Sequence, residues 1–154
     1  MSLIDIKDIA QLTLKFKNNG LRIVFTNGCF DLLHTGHLNL LQKASGFGDK
    51  LIVGLNSDIS VKKLKGDSRP VETASVRAHN LLDQDFVDNV VIFNELTPKR
   101  LIDEIIPSVL VKGGDYKKEH IIGSRSVTKN GGVVKIIPLT LGFSTTLIIN
   151  NSKR

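Results

Sequence analysis

The chain has 154 residues, 41% of them hydrophobic and 5% aromatic, with a formal net charge of +6. That length suits one domain with a real core; no run nears the roughly 20 apolar residues of a membrane span, and the mixed Asp, Lys and Ile start lacks the apolar block of a secretory leader. A single cysteine excludes an internal disulfide framework and makes the cytoplasm the expected compartment. Dispersed Lys and Arg with one Tyr and no Trp argue against nucleic-acid binding, so the positive balance is expected to serve small anionic substrates.

In chain order, residues 4–16 read as an amphipathic helix with Ile6, Ile9 and Phe16 on one face, closed by Asn18-Asn19-Gly20. Residues 21–26 form a short apolar strand, and residues 37–47 a helix that Gly46 and Gly48 stop. A second strand covers residues 51–55, followed by a turn and short helix from Asn56-Ser57-Asp58. Residues 73–82 are helical, residues 90–93 a third strand, and Thr97-Pro98 starts a helix through Ile106. Residues 109–111 and 133–138 are the fourth and fifth strands, and Ser144 opens a last helix. Continuous apolar strands separated by helices indicate an α/β fold, a Rossmann-like, doubly wound, parallel five-stranded sheet in a single domain, with residues 1–20 as an N-terminal helix.

The chemistry concentrates in Asn27-Gly28-Cys29-Phe30-Asp31-Leu32-Leu33-His34-Thr35-Gly36-His37. An apolar strand runs into a Gly-containing turn, and His34 and His37, three apart at a helix start, share a face. The helix N-terminus favours an anion, and the carboxyl edge of such a sheet is where ligands bind. A metal-chelating pair is the competing reading, but zinc wants three or four protein ligands, and Cys29, His79 and His120 offer no matching spacing. Three further segments gather at the same edge: residues 56–67 with the basic group Lys62, Lys63 and Lys65, then Lys112-Gly113-Gly114-Asp115-Tyr116, then Gly142-Phe143-Ser144-Thr145-Thr146 with hydroxyls at a helix start. Neither a nucleophile elbow nor a Walker phosphate loop is present. The pattern suits binding of a nucleoside triphosphate without a covalent intermediate.

The block from Gly28 to His37 resembles the G-x-F-D-x-x-H-x-G-H signature of the cytidylyltransferase-like nucleotidyltransferases, and Ser144-Thr145-Thr146 is similar to their second marker. Within that superfamily, Gly54-Leu55-Asn56-Ser57-Asp58, Lys63-Leu64-Lys65-Gly66, Arg69-Pro70-Val71 and Val109-Leu110-Val111-Lys112-Gly113-Gly114-Asp115-Tyr116 most resemble the adenylyltransferase domains of ADP-heptose synthases. The resemblance covers nearly all of residues 21–149, making residues 21–154 the nucleotidyltransferase domain. It implies transfer of AMP from ATP to D-glycero-β-D-manno-heptose 1-phosphate, giving ADP-heptose and pyrophosphate for lipopolysaccharide core synthesis. Bifunctional members carry a sugar-kinase domain ahead of this one; with only residues 1–20 before the first strand, a stand-alone adenylyltransferase is expected, and relatives are often homodimers.

The implied site places His34, His37 and Lys65 at the reacting phosphates. Cys29, Phe30, Gly36, Asn56, Asp58, Gly113, Asp115, Ser144, Thr145 and Thr146 line the nucleotide, and Lys63, Arg77 and Asp31 meet the sugar phosphate. Mg²⁺ accompanies ATP and is held mainly by the triphosphate. Two departures stand out. Leu139-Thr140-Leu141-Gly142 replaces the Arg-containing segment of glycerol-phosphate cytidylyltransferases, which weakens a CTP reading, and Val76 stands where an acidic residue usually precedes the helical Arg. A different nucleotide or acceptor, as in those cytidylyltransferases, and a catalytically silent nucleotide-binding module remain the alternatives.

Overall fold

A computed structural model describes residues 2–114 and 116–138. Six parallel strands run in the order β1 (Ser2–Ile4), β4 (Asn89–Phe93), β3 (Lys50–Asn56), β2 (Ile23–Gly28), β5 (Val109–Gly113) and β6 (Val133–Ile137). Five of these are the expected strands. The sixth, β1, corrects the helix expected to begin at Ile4: Leu3 and Ile4 pair with Val90 and Val91, and the Asn89 amide donates to the Ser2 hydroxyl at 3.3 Å. Three residues carry no readable period, so only their partner strand defines them. Helix α1 (Ile9–Asn18) therefore starts later, after a 3-10 turn at Ile6–Asp8 capped by Asp5, and the first 20 residues contribute to the sheet as well as a helix.

Alternate side chains along the strands feed two cores. Val24, Leu51, Val53, Val90 and Val109 pack with Leu40, Leu41, Ala44, Ala78 and Leu81 of α2 (Thr35–Ser45) and α4 (Ala74–Leu82). Ile23, Phe25, Ile52, Val91 and Leu110 pack with Ile9, Leu101, Ile102, Ile105 and Val127 of α1, α5 (Lys99–Ile105) and α6 (Ser124–Lys129). Burial on both faces explains why the strands are apolar runs rather than alternating ones. Gly54 interrupts β3 because the Phe25 ring crosses it: a Cβ there would lie 2.7 Å from the ring. Helix α6 carries no readable sequence pattern, since its six residues bury only one apolar side chain, Val127.

From β2 the chain builds β3 and β4 on one side, then crosses back to lay β5 and β6 on the other. The carboxyl ends of β2 and β5 therefore flank the topological switch point, where such sheets open a crevice. Helix α3 (Asp58–Lys65) leaves β3 at the same edge. Among the described residues no helix is long and apolar enough to cross a membrane.

Candidate active site

The crevice at the switch point is lined by Cys29 and Phe30 after β2, His37 of α2, Lys65 at the end of α3, and Lys112 and Gly113 at the end of β5. Asn27, Lys112 and Tyr116 separate it from a second lobe that Pro98, His120 and Ile121 close. The three segments expected at this edge that the structure describes, around residues 27–37, 56–67 and 112–116, thus converge, and Pro98 and residues 120–122 join them at the second lobe.

The two histidines build the start of α2 between them. His34 is the N-cap: its Nδ1 accepts from the backbone N–H of Gly36 at 3.1 Å and of His37 at 3.4 Å, while His37 Nδ1 accepts from the His34 N–H at 3.3 Å. This is a capping box made of imidazoles instead of the usual hydroxyl and carboxylate. The rings stack at 3.7 Å, and the edge of Phe30 packs against His37 at 5.3 Å. Because both Nδ1 atoms accept, both rings are neutral and carry their proton on Nε2. Burial first, then repulsion that a protonated His37 would meet from the adjoining His34 ring and from Lys65, lowers the His37 pKa from 6.5 to about 3. Burial lowers that of His34 as well. His37 therefore offers the crevice a neutral N–H donor.

The low His37 pKa carries a stability consequence. Between about pH 6.5 and 3 the unfolded chain takes up a proton that the folded chain refuses, so His37 costs no stability above that window and stability falls as the pH drops through it. Thermal midpoints at pH 7.5 and 5.0 should differ more for the native chain than for His37→Gln. Equal differences in the two proteins would refute the assignment.

A second network holds the loop that carries the histidines. Phe30 (φ 47°) and Leu32 (φ 56°) adopt left-handed backbone, which costs on the order of 1 kcal/mol or more for such side chains. Between them, Asp31 is fully buried and accepts from the N–H of Val71 at 2.8 Å, the N–H of Glu72 at 3.0 Å and Arg69 Nε at 2.9 Å. Burial pushes the Asp31 carboxyl up, but these donors outweigh it and hold its pKa below the usual carboxylate value. Glu72 in turn accepts from the Leu32 N–H at 2.8 Å. Residues 69–72 thereby clamp the strained loop in place.

Arg77 completes the clamp. Its side chain is fully buried; Nη1 donates to the Cys29 and Asn56 carbonyls, both at 2.8 Å, Nε donates to the Glu72 carbonyl at 3.0 Å, and Nη2 pairs with Asp58 at 2.6 Å. Asp31 and Arg77, expected at the sugar phosphate, are thus committed to the wall of the site, because their donors and acceptors are taken up by backbone and by each other's loops. Asn56, buried to 3% exposure, and Asp58 join the same wall through Arg77. Gly36 lies in the first turn of α2 as a donor to the cap. Lys63 differs from expectation: it is exposed on α3 and lines neither lobe, whereas Lys65 does. Asp115, Ser144, Thr145 and Thr146 lie outside the described residues.

The sequence pattern does not mark Lys112 as a cation of the site, Arg69 and Glu72 as the clamp, or Asn27 and Tyr116 as the divide between lobes. Lys112 has a signal in its position alone: it follows an apolar strand at the same sheet edge as the histidines. Arg69 and Glu72 have none, since their partners stand about forty positions away in sequence.

The cytidylyltransferase-like family model matches residues 25–151, a span that holds every element of this crevice. The chain belongs to that family. Two bacterial relatives, each a bifunctional protein HldE, align over most of this cytidylyltransferase-like chain. That of Koribacter versatilis is 51% identical over 142 residues, covering 92% of this chain and 29% of the relative; that of Geotalea uraniireducens is 54% identical over 141 residues, covering 92% and 29%. The chain therefore spans less than a third of the length of these curated relatives. The crystal structure of the lipopolysaccharide core biosynthesis protein from Thermoplasma volcanium matches with a TM-score of 0.64 at 24% identity, over 79% of this chain and 98% of that one, a likeness of fold. With this membership the chain is a nucleotidyltransferase.

Proposed function

We propose that this nucleotidyltransferase transfers AMP from ATP to D-glycero-β-D-manno-heptose 1-phosphate, releasing pyrophosphate and ADP-heptose for lipopolysaccharide core synthesis. The observation that carries the reaction class is the neutral, stacked His34–His37 pair at the start of α2, set beside Lys65 in the switch-point crevice. The acceptor rests on the identity of half or more to the HldE proteins and on the sequence blocks shared with ADP-heptose synthases.

In this reading an acceptor phosphate oxygen attacks the α-phosphorus in line, and pyrophosphate leaves on the opposite side. Such transfers are accelerated by positioning and by groups that neutralise charge as it develops. The His37 Nε2–H donates to an α-phosphate oxygen, and His34, spent on the helix cap, fixes the ring that donates. Lys65 balances the α- and β-phosphates, and the backbone at Cys29, Phe30 and Gly113 lines the nucleotide. Ser144, Thr145 and Thr146 are assigned to the β/γ end. Imidazole N–H groups and ammonium do not suit Mg²⁺, which takes oxygen ligands; the ion enters as part of MgATP, held by the triphosphate. The reaction is placed in the cytoplasm, where ATP is supplied, and the acting form is taken to be a homodimer.

The test is Mg²⁺-dependent pyrophosphate release from ATP and from CTP, each offered with the heptose 1-phosphate and with glycerol 3-phosphate. Release confined to ATP plus the heptose phosphate is expected. Release with CTP or with glycerol phosphate would replace the substrate assignment while keeping the class, and nucleotide binding without release under every pairing would favour a silent module.

A further inference from the structure

The second lobe of the crevice has no role in the site as built so far, and neither has the lysine at its mouth. Lys112 is half-buried near the end of β5. Among the described residues its ammonium makes no ion pair or hydrogen bond, only a contact 5.4 Å from the centre of the Tyr116 ring. Lys17 shows what a lysine of this chain does when its role is structural: although exposed, its Nζ donates to the Ile105 carbonyl at 2.6 Å, at the end of α5. A desolvated cation without a counter-charge is unfavourable unless a ligand supplies one. The position of Lys112 says which. Of the described lysines it alone lines both lobes, with His37 and Lys65 on one side and Pro98, His120 and Ile121 on the other.

We propose that Lys112 holds the phosphomonoester of the acceptor against the nucleotide's α-phosphate, and that the second lobe receives the body of the acceptor. The inference rests on the nucleotidyl-transfer reading of the same crevice and adds to it the acceptor subsite. Two phosphates must come within reacting distance for the transfer, and their mutual repulsion is strongest in a place that excludes water. A cation on the wall between the two lobes faces both anions at once, which Lys65, on one side, does not. In the step itself a bond forms between the acceptor phosphate oxygen and the α-phosphorus. The bond from the α-phosphorus to the bridging oxygen breaks, and pyrophosphate takes the electron pair. An acceptor phosphate already dianionic at neutral pH needs no base, so the crevice requires a cation near the nucleophile more than a proton acceptor. Lys112 takes the place that the exposed Lys63 was expected to fill.

The experiment is titration calorimetry of the whole chain loaded with Mg²⁺ and α,β-methylene-ATP, with inorganic phosphate as the probe, for the native protein, Lys112→Ala and Lys112→Arg. Lys112→Ala should weaken phosphate binding at least about tenfold, as expected for losing a charge-assisted hydrogen bond. Lys112→Arg should retain it within about threefold, and in Lys112→Ala the affinity for α,β-methylene-ATP should fall less than that for phosphate, since His37 and Lys65 still line the nucleotide lobe. Unchanged phosphate binding in Lys112→Ala, an equal loss of the nucleotide analogue, or no phosphate binding by the loaded native chain would each overturn the proposal. Failure of the heptose assignment looks different: the native chain would bind phosphate through Lys112 yet release no pyrophosphate with the heptose phosphate.

Discussion

His37→Ala should lower the rate of pyrophosphate release by about 10²–10³-fold, the loss typical of removing one preorganised donor to developing charge. The KM for ATP should change by less than about tenfold, because a donor aimed at the transition state contributes little to ground-state binding. The size of the effect follows from how the ring is held. Its Nδ1 is occupied by the His34 N–H, the His34 ring stacks on one side and Phe30 meets it edge-on, so the Nε2–H is fixed in direction before substrate arrives. Its low pKa keeps it a neutral donor across the physiological range. His37→Asn retains a short donor but shifts its position, and should recover only part of the loss. Circular dichroism must show a native spectrum for each variant; turnover within tenfold of native in a folded His37→Ala protein would remove His37 from the chemistry.

The same histidine shows what sequence could convey. Two imidazoles after a buried strand, three apart at a helix start, mark the site because local spacing decides their shared face. The alternation of apolar strands and helices gave the parallel sheet and its ligand-binding edge for a similar reason: each strand carries its own pattern. What escaped is whatever depends on distant partners. Ser2–Ile4 became a strand only through Asn89, Val90 and Val91. Asp31, near the histidines in sequence, reads as a substrate contact; its carboxylate accepts from Arg69, Val71 and Glu72, on a loop that no local pattern ties to it. Lys63 and Lys65 are indistinguishable as members of a basic run, yet the turn of α3 brings only Lys65 to the crevice.

Arg77→Ala should be the most destabilising substitution around the site, by about 3–5 kcal/mol in urea or thermal unfolding, as for the removal of one member of a buried charged network. Two explanations of such a loss can be separated. If the Asp58 ion pair were responsible, Asp58→Asn would cost nearly as much. But Asp58 is 47% exposed, and exposed pairs contribute only about 0–1 kcal/mol. The larger part lies with the carbonyls of Cys29, Asn56 and Glu72, which three guanidinium hydrogen bonds satisfy and which alanine would leave buried without donors. Asp58→Asn should therefore lower stability by less than about 1 kcal/mol. Arg77→Lys, keeping the charge but losing the planar fork, should fall much nearer to alanine than to arginine. Because the three carbonyls belong to the ends of β2 and β3 and to the lead-in to α4, their release also frees the loop that sets His37. Turnover in Arg77→Lys should then drop further than its residual folded fraction explains, whereas full activity per folded molecule would reduce Arg77 to a packing residue.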